Sequence, residues 1–141
     1  MATDQILGQK IVVHFRDGSV LKGYSQDFFP NKDRFHLTVL NQPSDQKATE
    51  VFLENLKAVF FVKDFVGNKD HERFKGFPES QSSTYGKKTV VKCRDGEVLY
   101  GFTQSYAPNR IGFFLFPCDP SSNNIKVFVL QSFVTHVEFP T

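Results

Sequence analysis

Tryptophan is absent from the 141 residues, methionine occurs once and cysteine twice. Two cysteines, Cys93 and Cys118, cannot make a disulfide framework, so stability has to come from an apolar core. No apolar run approaches the ~20 residues of a membrane-crossing helix, and no cationic, apolar, small-residue leader opens the chain. No membrane insertion is expected, and the cytoplasm is the expected location. Charge of one sign is lacking too: 17 Lys and Arg stand against 15 Asp and Glu, a net charge of +2. That balance neither demands nor excludes nucleic acid, because a local patch outweighs the sum. There is no Gly-rich phosphate loop, no H-E-x-x-H and no histidine pair at metal spacing. The four histidines, His14, His36, His71 and His136, stand alone. The reading is therefore a non-enzyme with no catalytic residue, no metal and no cofactor.

What is present is phenylalanine, 17 residues of it, in a chain that is 40% hydrophobic. Such a composition folds rather than staying disordered. Residues 8–37 and 86–115 say the same thing twice: GQKIVVHFRDGSVLKGYSQDFFPNKDRFHL and GKKTVVKCRDGEVLYGFTQSYAPNRIGFFL. At a constant offset about half of the positions are identical, far above chance. The chain is therefore read as an internal duplication. The first unit covers residues 8–66, a Gly-, Pro- and Ser-containing linker 67–85, and the second unit 86–140. Each unit of about 60 residues is near the lower limit for a self-sufficient core, so the two are expected to pack together.

Each unit alternates apolar and polar residues with a period of two, beginning with Ile11, Val13 and Phe15 against Val12, His14 and Arg16. Arg-Asp-Gly follows in both copies, ending at Gly18 and Gly96. Asp-Gly between apolar runs predicts a hairpin with a type I′ turn. The second strands, 19–26 and 97–104, carry Gly23 and Gly101 at matching places, where a bend or the close approach of another backbone is expected. Pro-Asn turns follow, Pro30-Asn31 and Pro108-Asn109. Third strands are expected at 34–40 and 111–116, fourth at 50–54 and 125–130, fifth at 58–65 and 134–139. No helical period is sustained. The fold class is all-β: two tandem small five-stranded β-barrels arising from the duplication.

The stretch IVVHFRDGSVLKGYSQDF resembles the first motif of Sm-like proteins, and VFLENLKAVFFV loosely resembles the second. The resemblance implies one small barrel per repeat. The second motif's Arg-Gly is missing from both copies, and Asp27 and Asn31 follow Gly23 more closely than the Sm Asp and Asn follow their glycine. A weaker resemblance is to degenerate PilZ-like barrels, bacterial domains that bind cyclic di-GMP. QDFFPNKDRFHL is similar to their Asp-x-Ser-x-x-Gly turn, with Asp27 at the Asp, Phe29 at the Ser and Lys32 at the Gly. The whole chain is also similar to uncharacterised duplicated bacterial domains, which implies a bacterial source.

Two surfaces carry the candidate chemistry. The outward face of the first strands gathers His14, Arg16 and Lys22 in one copy and Lys92 and Arg94 in the other. The Pro-Asn loops add Asn31, Lys32, Asn109 and Arg110, with Phe28, Phe29 and Tyr106 as candidate stacking platforms. The third feature is Phe60, Phe61 and Phe65 with Phe113 and Phe114. Neighbours on a strand point to opposite faces, so Phe60 and Phe61 cannot both enter one core, nor can Phe113 and Phe114. One of each pair must cover the sister unit, another subunit or a partner. The leading expectation is a binding or adaptor module working through protein-protein contacts, with homo-oligomerisation left open. The alternative is nucleic-acid or cyclic-dinucleotide binding through the basic face and the Pro-Asn loops.

Overall fold

In a computed structural model of the chain, residues 8–40, 47–66, 86–104, 106–118 and 122–140 are described. They form ten antiparallel strands: β1 (Gln9–Phe15), β2 (Val20–Ser25), β3 (Arg34–Val39), β4 (Thr49–Phe52), β5 (Leu56–Val62), β6 (Lys87–Cys93), β7 (Val98–Thr103), β8 (Gly112–Pro117), β9 (Asn124–Leu130) and β10 (Val134–Glu138). Short 3-10 turns, Leu53–Asn55 and Gln131–Phe133, lead into β5 and β10. All strands belong to one open sheet in the order β10-β6-β7-β8-β9-β5-β1-β2-β3-β4. Among the described residues no ladder closes either half into a barrel. The expected leader (1–7) and linker (67–85), with His71, lie outside the described residues.

The hairpin turns differ from the expected form. The Gly18 N–H donates to Phe15 O at 3.0 Å while Phe15 N–H donates to Ser19 O at 2.9 Å. That is a three-residue Arg-Asp-Gly loop, a type I turn closed by a glycine bulge, rather than a two-residue type I′ turn. The glycine that ends each loop has positive φ, +94° at Gly18 and +91° at Gly96. Gly23 and Gly101 mark close approach. A Cβ built on Gly23 would lie 2.3 Å from the Thr38 carbonyl oxygen, and one on Gly101 would lie 2.4 Å from that of Phe116.

The two halves join through β5 and β9. Their register pairs Ala58 with Val129, Val59 with Phe128, Phe60 with Val127 and Phe61 with Lys126. All seven residues of β5, LKAVFFV, are buried. Its alternate side chains enter two different cores. Val59 and Phe61 meet Ile11, Val13, Phe35 and Leu37 of the first half, together with Phe128 and Leu130 from β9. Ala58, Phe60 and Val62 meet Val91, Leu99, Phe113 and Leu115 of the second half, with Val127 and Val129. Phe113 serves the second core and the half-buried Phe114 the first. The Phe pairs thus cover the sister half, and each buried ring contributes roughly 2–3 kcal/mol of transfer free energy. Phe65 is half-buried, edge-on to Tyr24 at 5.2 Å.

Candidate functional site

The two Pro-Asn loops are built alike. Lys32 N–H donates to Phe29 O at 3.1 Å, and Arg110 N–H donates to Ala107 O at 3.2 Å. Each is a β-turn with proline at the second position, where its fixed φ suits the turn, and asparagine at the third. In the first loop Asp27 is the anchor. Its Oδ1 accepts from His36 N–H at 2.9 Å and from the Ser25 hydroxyl at 3.2 Å, and its Oδ2 lies 2.7 Å from His36 Nδ1. Partial burial would raise the Asp27 carboxyl, but the hydrogen bonds from His36 and Ser25 outweigh it and hold it below its ordinary value. Phe28 is drawn inward, edge-on to Phe35, Phe61 and Phe128 at 5.2–5.3 Å. Tyr106 likewise packs against Phe113 and Phe139. Of the three expected platforms only Phe29 is exposed, at 47%, with Lys32 Nζ 4.9 Å from its ring centroid.

The loops converge on a cleft of about 470 Å³. Pro30 and Asn31 line it from one side and Asn109, Arg110 and Ile111 from the other, over a floor of Gly112, Phe113, Phe114 and Phe128. Gly112 has no freedom to vary there, because a Cβ would meet Val129 O at 2.4 Å and the Phe128 ring at 2.7 Å. A second cavity of about 430 Å³ shares Arg110 and Ile111 and continues past Asp33, Phe52, Leu53, Leu130 and Gln131. Asn31, Lys32, Asn109 and Arg110 are all exposed. Among the described residues their side chains make no hydrogen bond or ion pair.

The basic strand face is in a different state. Arg16 Nη1 donates to Ser132 Oγ at 2.9 Å, and its guanidinium lies 5.5 Å from the Phe133 ring centroid. Lys22 Nζ donates to Phe65 O at 3.1 Å. The His14 ring is 4.5 Å from that of Phe60, and Lys92 Nζ is 3.7 Å from Glu138 Oε1. Arg94 is exposed. None of the five lines either cavity, so the structure separates the two surfaces that the sequence had grouped.

Sequence reasoning missed Lys57. Its ammonium is buried beneath the Phe133 ring, where it donates to Asp95 at 2.5 Å and to Glu97. Burial alone would lower its pKa, but the hydrogen bonds to both carboxylates raise it. The same lysine holds Asp95 below the ordinary carboxylate value. The only prior signal was a lone charge within LKAVFFV. Cys93 is buried beside this group, and desolvation pushes its thiol up to about 11, which leaves it inert at neutral pH. Both cysteines are free. Among the described residues no group of three or more His, Cys, Asp or Glu could hold a metal ion. No helix among them is long and apolar enough to cross a membrane.

A family model matches residues 7–140, nearly the whole chain. The chain belongs to DUF6982, a family of unknown function. No curated protein and no solved structure matches this DUF6982 member.

Proposed function

We propose that the protein is a non-enzymatic binding module whose ligand is a nucleotide, free or within a single strand, seated in the cleft between the Pro-Asn loops. The observation that carries this reading is an aromatic-floored cleft lined by Asn31, Asn109 and Arg110, whose side chains make no hydrogen bond or ion pair among the described residues, with Lys32 one residue beyond it. Arg110 supplies a fixed fork for phosphate, and the two amides can pair with base edges. The exposed Phe29 ring, next to Pro30 of the cleft wall and with Lys32 Nζ over one face, offers a base at the cleft's edge a stacking face, worth roughly 1–3 kcal/mol. A cleft of about 470 Å³ suits a ligand of that size. Phe60, Phe61 and Phe113 are buried in the two cores, so an adaptor role would have to use other surfaces. We also read the halves as a duplicated small-barrel unit. In support, the 3-10 turns at Leu53–Asn55 and Gln131–Phe133 keep the offset that carries Gly8 onto Gly86.

The test is an amide NMR titration with short RNA, short DNA and cyclic di-GMP, each added separately. Shifts are expected at Asn31, Lys32, Asn109, Arg110 and Ile111, with affinity falling steeply as salt rises. Arg110→Ala should weaken binding at least tenfold, and Arg94→Ala, outside the cleft, should leave it unchanged. A silent spectrum, or shifts confined to the strand face, would overturn the reading.

A further inference from the structure

The strand order places matching elements in the middle of the sheet and at its two ends. In the middle β5 pairs with β9, and the ends are β4 and β10. The shift that carries Gly8 onto Gly86 also carries Leu56 onto Val134 and Val51 onto Val129. So β5 corresponds to β10, and β4 to β9. In principle β10 of one copy and β4 of a second could repeat, head to tail, the ladder that joins the halves inside one copy. Such a contact is heterologous and would propagate into rings or filaments.

We propose that this pairing between copies is barred, and that Glu50, Glu138 and Pro140 bar it. In the internal ladder Phe128 reaches into the first core and Phe60 into the second. Under the same shift Phe128 corresponds to Glu50, Phe60 to Glu138 and Val62 to Pro140. On β10 the apolar set that β5 turns to its own core is kept: Leu56, Val59 and Phe61 correspond to Val134, Val137 and Phe139. On the face that a second copy would cover, Glu50, His136, Glu138 and Pro140 stand where the internal ladder has Phe128, Ala58, Phe60 and Val62, while Phe52 keeps the apolar character of Leu130. A ladder in the internal register would bury Glu50 in the neighbour's second core and Glu138 in its first. An unpaired carboxylate in an apolar core is strongly disfavoured. Pro140 would bring no N–H to the ladder. Where they stand, both carboxylates have partners: Glu50 Oε2 is 3.4 Å from Arg34 Nη1, and Glu138 Oε1 is 3.3 Å from His136 Nε2. Charge and proline on an edge strand are the usual means of blunting it.

The test is sedimentation of the full chain against the double variant Glu50→Phe/Glu138→Phe. The wild type should keep the mass of one chain across the concentration range. The double variant should gain mass with concentration and acquire amide-exchange protection in β4 and β10. A wild type that self-associates through these strands, or a double variant that stays monomeric, would overturn the proposal. Cysteines at Val51 and His136, which correspond to the paired Val129 and Ala58, separate ladder from clumping. An intermolecular disulfide between them in the double variant supports the proposal, and assembly without it counts against it.

Discussion

At the scale of single residues, the glycines separate by mechanism. A Cβ on Gly18 or Gly96 meets nothing within 4 Å, so substitution there costs only the left-handed backbone, about 1–2 kcal/mol. A Cβ on Gly23 or Gly101 would lie within 2.4 Å of a neighbouring strand's carbonyl oxygen. Alanine there must push β2 from β3, or β7 from β8, at about 2–3 kcal/mol. Urea unfolding of the four Gly→Ala variants should therefore rank Gly23 and Gly101 above Gly18 and Gly96. Equal losses at all four would contradict the close-approach account. All four were legible in the sequence because both repeats carry them. Gly112 was not, since the matching position of the first repeat is Arg34 and a pattern of shared glycines passes over it.

Within the strands, the alternation of apolar residues gave every strand to within two or three residues. It could not give the partner of β5. That pairing joins residues more than 60 positions apart, and period-two alternation says which residues are buried without saying against what. The candidate site was half legible for the same reason. The Pro-Asn turns are local and were read correctly, but their meeting at one cleft is set by the β5–β9 junction. The inward turn of Phe28 and Tyr106 is equally a tertiary outcome. Lys57 shows the cost of missing it. Its ammonium ties β5 of the first half to the β6–β7 hairpin through Asp95 and Glu97. Asp95 is depressed in the folded state, so its share of stability is present above pH 3.8 and fades as pH falls through its lower folded value. Lys57 is raised, so its share is present below pH 10.5 and fades as pH climbs through its higher folded value. Lys57→Met should cost roughly 1–3 kcal/mol at neutral pH, less than a fully buried pair would, because both carboxylates reach solvent. The gap between wild type and variant, followed by denaturant melts, should close below about pH 3.8. A gap that stays constant from neutral pH to pH 3 would remove the ion pair as its cause.

At the scale of the whole molecule, β5 and β9 belong to both halves at once. The first core is completed by Phe128 and Leu130 from the second half, and the second by Ala58, Phe60 and Val62 from the first. A chain of residues 8–66 would leave one face of β5 bare and its own core open where Phe128 and Leu130 sit. A chain of residues 86–140 would suffer the mirror loss. Units of that size bury only about 60% of the surface their unfolded chains expose, so neither can absorb the deficit. Unfolding of the full chain should therefore be a single transition, with far-ultraviolet circular dichroism and tyrosine fluorescence changing at the same urea concentration. Each isolated half should lack a cooperative transition, and an equimolar mixture should recover one, because the β5–β9 ladder and both shared cores can reform between separate chains. An isolated half that melts cooperatively would mean that its core closes without the sister strand, and that the junction is a docking surface between finished units.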